Sequence, residues 1–311
     1  MEQHESVQAS PRLPNSEHAA AALVASPGAV TAAQLADVPC PSCGGGALDT
    51  NEGMAPGYVY ALGRIEARFP RASVEKEFAQ ATGRADTSGK SDHEAFHAVL
   101  ALRENRYLAR QMCWVLLIQG LETYILQPRD PADFDLLIDA IKGPPDPTPW
   151  MSLVVGVRGP IASMDLCNGL MVPIVAFDQI YSFEHRALIE AIPRPAKMSK
   201  EQFGPAAEEL FSRVMLMTDN AGATDEHRAL NYLAMRYPAV YATAANQFAR
   251  DFSLSAVDVR PSSVSGTRKI VDVVFAYNNR SSDFVEKFFV RVDVTEEFPF
   301  LVTKMAPYFD R

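Results

Sequence analysis

Hydrophobic and polar positions recur with two different periods along the chain, and each period predicts a different kind of element. In the first part, short runs rich in aromatic and β-branched residues predict strands, and Gln119-Gly120 predicts a hairpin turn between two of them. Apolar positions at helical spacing predict helices between these strands. The predicted strands are residues 58–69, 113–118, 122–126, 153–158 and 170–177, and the predicted helices are residues 73–81, 91–110 and 133–141.

The second part of the chain is first helical and then returns to strands. Thr224 has the chemistry of a helix N-cap, and Pro238 predicts an interruption within the helical pattern. Every second residue from Val271 to Tyr277 is apolar, which is typical of a strand with one buried face. The predicted helices are residues 183–192, 200–219 and 224–252, and the predicted strands are residues 254–260, 268–277 and 284–294. The sequence therefore predicts an α+β fold: a mixed sheet with helices in the first part, then a helical section and an antiparallel C-terminal β-meander.

The first residues differ in composition from the rest of the chain. Residues 1–57 contain six acidic residues and one basic residue, together with an alanine-rich stretch and a run of three glycines at 44–46. Such a segment has few apolar side chains with which to form a core. The sequence predicts a disordered, acidic and alanine-rich tail over residues 1–37 and a folded domain over residues 38–311.

The overall charge of the chain argues against two classes of partner, nucleic acids and anionic membranes. The 311 residues carry a formal net charge of −9, and 48% of them are hydrophobic. An acidic protein lacks the basic face that nucleic acids and anionic membranes require, so neither is expected as a partner. No apolar run has the length of a spanning helix, and Glu2, Glu5 and Glu17 precede the short apolar run where a signal peptide has basic residues. We expect a cytoplasmic protein.

Four cysteines give the strongest chemical signal. Cys40 and Cys43 form a Cys-x-x-Cys pair, whose spacing allows two thiolates to bind one metal ion, and Cys113 and Cys167 would complete a structural zinc site with four thiolates. Two other interpretations remain open. In one, Cys113 is only a small buried hydrophobic residue, and in the other, Cys40 and Cys43 form a redox pair.

His93, Glu94 and His97 match the His-Glu-x-x-His motif of zinc peptidases. On a helix the two imidazoles would share one face and Glu94 would activate a metal-bound water. The third ligand of that motif family is missing, and Glu122 would supply it only if the hairpin crosses the helix. The alternative is that these residues form a polar first turn of a helix beside its apolar stripe, which is the interpretation we favour.

Longer stretches of sequence resemble the C-terminal domain of unknown function of PatA and PatG, the cyanobactin maturation proteins. The resemblance extends from about residue 40 to 311, and its clearest stretches are residues 58–70, 74–84, 104–110, 120–130, 167–173, 222–232 and 292–302. It implies a stand-alone version without the subtilisin-like protease that precedes this domain in the family. It also implies one zinc site, because the family pattern has cysteines where Cys40, Cys43, Cys113 and Cys167 stand. It does not include His93-Glu94 and implies no catalytic residue.

Three functional interpretations follow. The first is a non-catalytic accessory domain, stabilised by structural Zn²⁺, that binds a precursor peptide or a maturation enzyme in cyanobactin-like ribosomal peptide biosynthesis. The second is a metal-dependent enzyme that modifies or hydrolyses a peptide with His93, Glu94 and His97. The third is a protein-interaction module outside any peptide pathway. We favour the first, because the resemblance implies a pathway but no reaction.

Overall fold

Two sheets and eight helices make up the part of the chain that the computed structural model describes, which is residues 57–143, 150–195, 198–217 and 219–309. The predicted α+β class is confirmed. The strands are β1 (Gly57–Arg68), β2 (Cys113–Ile118), β3 (Leu121–Pro128), β4 (Trp150–Ile161), β5 (Pro173–Glu184), β6 (Phe252–Pro261), β7 (Ile270–Asn279), β8 (Val285–Asp293) and β9 (Phe300–Pro307). The helices are α1 (Ala72–Arg84), α2 (Asp92–Ala101), α3 (Arg106–Gln111), α4 (Phe134–Ala140), α5 (His185–Ala191), α6 (Lys200–Met215), α7 (Asp225–Arg236) and α8 (Ala239–Phe248). The predicted tail and its boundary at residue 37 lie outside the described residues and stay predictions.

The first five strands close into a barrel with the order β1-β2-β3-β5-β4. All neighbouring pairs are antiparallel except β3 and β5, which are parallel. Strand β1 is shared, because its residues up to Gly63 pair with β4 and the residues from Arg64 onward pair with β2. A Cβ atom on Gly63 would lie within 3.0 Å of the Leu116 side chain, so glycine allows the strands to approach where β1 changes partner. Closure thus turns the predicted mixed sheet into a barrel.

The barrel interior continues into the helices inserted between its strands. Helices α1, α2 and α3 connect β1 to β2, and α4 connects β3 to β4. The inward faces of the strands and these helices share one core, which includes Val59, Trp114, Leu116, Phe177 and Leu100. The insertion and the barrel are therefore packed as one unit.

The long helix predicted over residues 91–110 is interrupted. Leu102 has extended backbone angles and ends α2, and α3 starts only at Arg106. The buried side chain of Asn105 donates a hydrogen bond of 2.9 Å to the carbonyl of Val99, which satisfies an acceptor at the end of α2. The apolar spacing continues across this break, and for that reason the pattern predicts one helix.

A second core lies between the outer face of β1 and β4, the helices α6, α7 and α8, and the C-terminal sheet. Tyr60 and Leu153 contribute from the barrel, Phe211 and Tyr241 from the helices, and Phe275 from the sheet. The predicted cap is confirmed, since the Thr224 side chain accepts a hydrogen bond from the backbone of His227 at the start of α7. The predicted interruption at Pro238 separates α7 from α8.

The C-terminal sheet is antiparallel with the order β6-β7-β8-β9. Val271, Val273, Phe275 and Tyr277 of β7 are all buried, which confirms the predicted inward face. Strand β9 was not predicted. It pairs only with β8, and its side chains are exposed or half-buried, so its pattern lacks the apolar alternation of the inner strands.

No helix in the described parts of the chain combines the length and the apolar character needed to cross a membrane.

Candidate functional site

The loop between β4 and β5 folds back over the outer face of β2 and β3. A small core joins the two: Val115 and Ile125 from the strands contact Ala162 of the loop, with the two cysteines in the same cluster. The loop keeps its shape through a tight turn, in which Asn168 and Gly169 both have positive φ angles of 52° and 85°. The backbone of Gly169 donates a hydrogen bond of 2.9 Å to the carbonyl of Met164. We call residues 161–172 the β4–β5 loop.

A disulfide between Cys113, the first residue of β2, and Cys167 of the β4–β5 loop fixes the loop to the barrel. Their Cα atoms are 5.6 Å apart, and both residues are buried. The predicted zinc site requires thiolates at Cys113 and Cys167, whereas in the structure their two sulfur atoms are bonded to each other. Cys40 and Cys43 lie outside the described residues, so the predicted four-cysteine zinc site is not tested. Within the described ranges no group of three or more His, Cys, Asp or Glu side chains is placed to hold a metal ion.

Beside the disulfide lies a groove of about 550 Å³. Apolar side chains form much of its lining, including the buried Met112 and Trp114 and the half-buried Phe134. The Trp114 indole is held by a hydrogen bond of 2.9 Å to the carbonyl of Ala109. The groove is therefore bounded by well-fixed side chains of the barrel on one side and by the β4–β5 loop on the other.

The polar rim of this groove carries a net positive charge. Arg71 and Arg110 both line the groove and are exposed, and Asp165 is the acidic residue among the described side chains that line it. Neither guanidinium makes an ion pair with any residue in the described part of the chain. Two arginines thus remain available to an anionic ligand.

The β4–β5 loop also presents an apolar surface next to the groove. Four of its large hydrophobic side chains are exposed: Ile161 by 62%, Met164 by 68%, Leu166 by 36% and Met171 by 59%. Methionine adapts its shape to different partners more readily than branched residues do. A short loop that is tied down covalently and still exposes four apolar side chains has the character of an interaction surface.

The position of the groove matches the ligand face of a known barrel type. The strand order 1-2-3-5-4, with a parallel 3–5 pair and a helix between strands 3 and 4, is that of the OB-fold. OB-folds bind extended ligands on the face of strands 2 and 3, between the β1–β2 and β4–β5 connections. The groove lies at this place, because its lining comes from β2, β3, both ends of the β1–β2 insertion and the β4–β5 loop.

The His-Glu-x-x-His residues lie elsewhere, in α2. Glu94 completes a capping box with Ser91: its carboxylate accepts hydrogen bonds of 2.8 Å from both the backbone and the hydroxyl of Ser91, and these bonds lower the pKa of Glu94. Glu122 forms an ion pair with Arg68 and so does not provide a third ligand. The favoured interpretation as a polar first turn agrees with this geometry.

The two histidines themselves are half-buried. Burial lowers the pKa of both His93 and His97, so the imidazoles are biased toward the neutral form. His93 Nδ1 and His97 Nε2 have no hydrogen-bond partner among the described residues. His93 lines a separate cavity of about 280 Å³ together with Arg64 and Trp150. A pair of imidazoles without a carboxylate aimed between them does not reproduce the peptidase site.

Sequence reasoning placed Cys113 and Cys167 in one site but missed the groove beside them. Arg71 and Arg110 lie near the two ends of the β1–β2 insertion, and both line the groove because the barrel brings the ends of β1 and β2 side by side. The resemblance to the PatA and PatG domain already covered part of the groove lining, since its clearest stretches include Arg110 and residues 120–130 and 167–173.

Comparisons with known proteins agree with the resemblance. The PatG C-terminal family model matches residues 197–308, which hold α6, α7, α8 and the C-terminal sheet but not the groove. A solved structure described as "PatG Domain of Unknown Function" matches with a TM-score of 0.67 and 21% sequence identity, over 81% of this chain and 99% of that chain. None of the curated proteins matches. The fold shared with that structure thus extends well beyond residues 197–308, the segment that is similar to the PatG C-terminal family.

Proposed function

We propose that this chain is a non-catalytic accessory domain of cyanobactin-like ribosomal peptide biosynthesis that binds a peptide segment, of a precursor or of a maturation enzyme, in the groove beside the Cys113–Cys167 link. The observation that carries the proposal is the groove itself, which lies on the ligand face of an OB-type barrel and borders an exposed apolar loop. Its volume of about 550 Å³ lies within the range of specific ligand sites.

The lining favours a peptide that is recognised through its side chains. The barrel is closed, so it offers no free strand edge to which a peptide could add as a further strand. The lining combines apolar floor residues such as Met112 with polar rim residues such as Gln127, and a peptide presents the same mixture of apolar side chains and polar groups.

The lining also favours binding over catalysis. Among the described residues of the groove, Asp165 is the carboxylate, and histidine, glutamate and lysine are absent. General acid–base catalysis needs a pair of groups that can donate and accept a proton at the substrate, and nucleophilic catalysis needs an activated nucleophile. The metal-dependent alternative draws no support from His93 and His97, because Glu94 is engaged by Ser91.

The zinc site that the resemblance implies is part of the proposal. When Cys113 and Cys167 are reduced, as in a cytoplasmic compartment, their thiolates would join Cys40 and Cys43 around one structural Zn²⁺. The proximity of Cys113 to Cys167 fits two ligands of such a site. The ion would hold the β4–β5 loop against β2, which is the position that the disulfide gives it.

A peptide array tests the binding function. The full chain is applied to arrayed 15-residue peptides, and the variant Gln127→Trp fills the groove with an indole while changing an exposed residue. Leu121→Trp is the matched control, because Leu121 is 71% exposed at the hairpin tip and does not line the groove. We expect Gln127→Trp to abolish the binding signals and Leu121→Trp to retain them. Peptide binding that survives Gln127→Trp, or an array without any signal for the native chain, would contradict the proposal.

A further inference from the structure

Several arginines of the barrel region have acidic partners. Arg68 is paired with Glu122 and Glu66, Arg106 with Asp135, and Arg129 with Asp178. Arg71 and Arg110, in contrast, have no acidic partner within the described ranges. The chain as a whole has 38 acidic and 29 basic residues, so acidic partners are abundant. Arg103 and Arg158 also lack an acidic partner among the described residues, but neither lines the groove. What distinguishes this site is that two such guanidinium groups line one groove.

We infer that the groove selects an acidic peptide segment, in which carboxylates bind Arg71 and Arg110 and an apolar side chain between them enters the groove. This inference rests on the proposed function. A guanidinium group presents a planar fork of donors that matches a carboxylate with two parallel hydrogen bonds. Met112, Trp114 and Phe134 supply apolar surface in the same groove.

Single-stranded nucleic acid is the competing polyanion for an OB-type barrel, and the surroundings of the groove disfavour it. Such ligands are bound by exposed aromatic faces on which successive bases stack. Here Trp114 is only 1% exposed and is held by Ala109, and Phe134 is half-buried. The large side chains exposed on the adjacent loop are aliphatic or sulfur-containing and include no aromatic ring on which a base could stack.

The test uses four fluorescein-labelled probes against the full chain: three decapeptides that pair leucines with glutamates, glutamines or lysines, and a ten-nucleotide oligothymidine. We expect the glutamate peptide to bind at least tenfold more tightly than the glutamine peptide, and its affinity to fall as salt rises. Arg71→Glu and Arg110→Glu should each reduce its affinity at least tenfold. Arg103→Glu is the matched control, because Arg103 is exposed and lies outside the groove, and it should change the affinity less than twofold.

A variant that gains affinity for the lysine peptide shows whether a loss of binding comes from changed recognition or from unfolding. The double variant with glutamate at positions 71 and 110 should bind the lysine peptide more tightly than the native chain does, which a misfolded protein would not do. Equal binding of the glutamate and glutamine peptides would overturn the acidic class and leave the proposed function standing. Failure of all three peptides to bind would overturn both, and tighter binding of oligothymidine than of any peptide would assign the groove to nucleic acid.

Discussion

The carboxyl group of Glu297, in the loop between β8 and β9, faces the carboxylate of Asp178 in β5, so two acids meet where the C-terminal sheet contacts the barrel. Asp178 lies at a β-bulge, where Phe177 and Gln179 pair with consecutive residues of β4. Arg129 Nη1 lies 2.9 Å from Asp178 and 3.8 Å from Glu297. The Glu297 oxygen Oε1 is buried and has no hydrogen-bond partner among the described residues. A proton held by Glu297 would be donated to the carboxylate of Asp178.

This pair predicts a dependence of stability on pH. Burial, followed by the hydrogen bond and the charge of Asp178, raises the pKa of Glu297 from its ordinary value of 4.5 to about 7, while Arg129 and Arg228 oppose the rise. A carboxyl group with a higher pKa in the folded state holds its proton longer when folded. Its contribution to stability is therefore complete below pH 4.5 and is lost as the pH rises through about 7. The shift corresponds to at most about 3 kcal/mol.

The variant Glu297→Gln isolates this effect. An amide keeps a donor for Asp178 and does not titrate, so the free energy of unfolding relative to the native chain should rise between pH 5 and 8. Urea unfolding of both proteins across that pH range measures the difference in their free energies of unfolding. The contribution of the buried histidines is the same in both proteins and cancels in this difference. Glu296→Gln is the control, since Glu296 is exposed one residue away and should leave the pH dependence unchanged. A native chain and a Glu297→Gln variant with parallel pH curves would show that the fold does not raise the pKa of Glu297.

Substitution of Gly222 by alanine is expected to lower the stability of the fold greatly. It has a φ angle of 68°, and a Cβ atom there would lie 2.6 Å from the Cα atom of Ala61 in β1. The same residue accepts a backbone hydrogen bond of 2.8 Å from Tyr60, so it cannot move away without breaking the contact between the barrel and the segment before α7. We expect Gly222→Ala to lower the free energy of unfolding by about 2–4 kcal/mol.

Gly83 provides the control for that substitution. It lies inside α1, has open space where a Cβ atom would be, and has no positive φ angle. Gly83→Ala should therefore raise the free energy of unfolding by up to about 1 kcal/mol. Chemical denaturation of both variants measures the two changes. If both alanines acted in the same direction, the contact of Gly222 with β1 would not be the cause.

The sequence predicted the elements well because their signals are local. The hairpin turn at Gln119-Gly120 was recognised from two residues, and both have the positive φ angles that such a turn requires. Thr224 was recognised as a cap from its chemistry and its position before a helical pattern. Barrel closure could not be predicted in this way, because the β1–β4 and β3–β5 pairings join strands that are distant in sequence, and alternation along a strand does not identify its partner.

The candidate site was only half predictable for the same reason. Cysteines attract attention as residues, so Cys113 and Cys167 were identified as one site. Arg71 and Arg110 are ordinary surface residues in the sequence, and they become a site only when the barrel places both at one groove. Composition alone misled in one respect, since the overall charge of −9 conceals this basic rim.

Substitution of Glu94 distinguishes a structural role of this residue from a catalytic role. Its carboxylate is exposed and bound by Ser91 in the capping box, so Glu94→Gln should keep peptide binding unchanged and lower the thermal stability slightly. Ser91→Ala should be more destabilising, by about 1 kcal/mol, because it removes the N-cap side chain itself. Thermal unfolding and the peptide array measure the two properties on the same samples. Loss of function in Glu94→Gln with the fold retained would instead favour the metal-dependent enzyme.

The disulfide and the zinc site exclude each other, because the same two sulfur atoms either bond to one another or bind the metal ion as thiolates. Protein purified under reducing conditions should hold one zinc ion per chain, and protein oxidised before metal is added should hold none, since a disulfide has no thiolate to offer. Cys113→Ser should hold no metal under either condition. In the oxidised form it should also lower the free energy of unfolding by about 2–5 kcal/mol, because it removes the cross-link to Cys167. Elemental analysis with thiol titration of each sample distinguishes the cases. Stoichiometric zinc in Cys113→Ser would exclude this cysteine as a ligand, whereas a reduced native chain without zinc would leave the disulfide as the device that holds the β4–β5 loop.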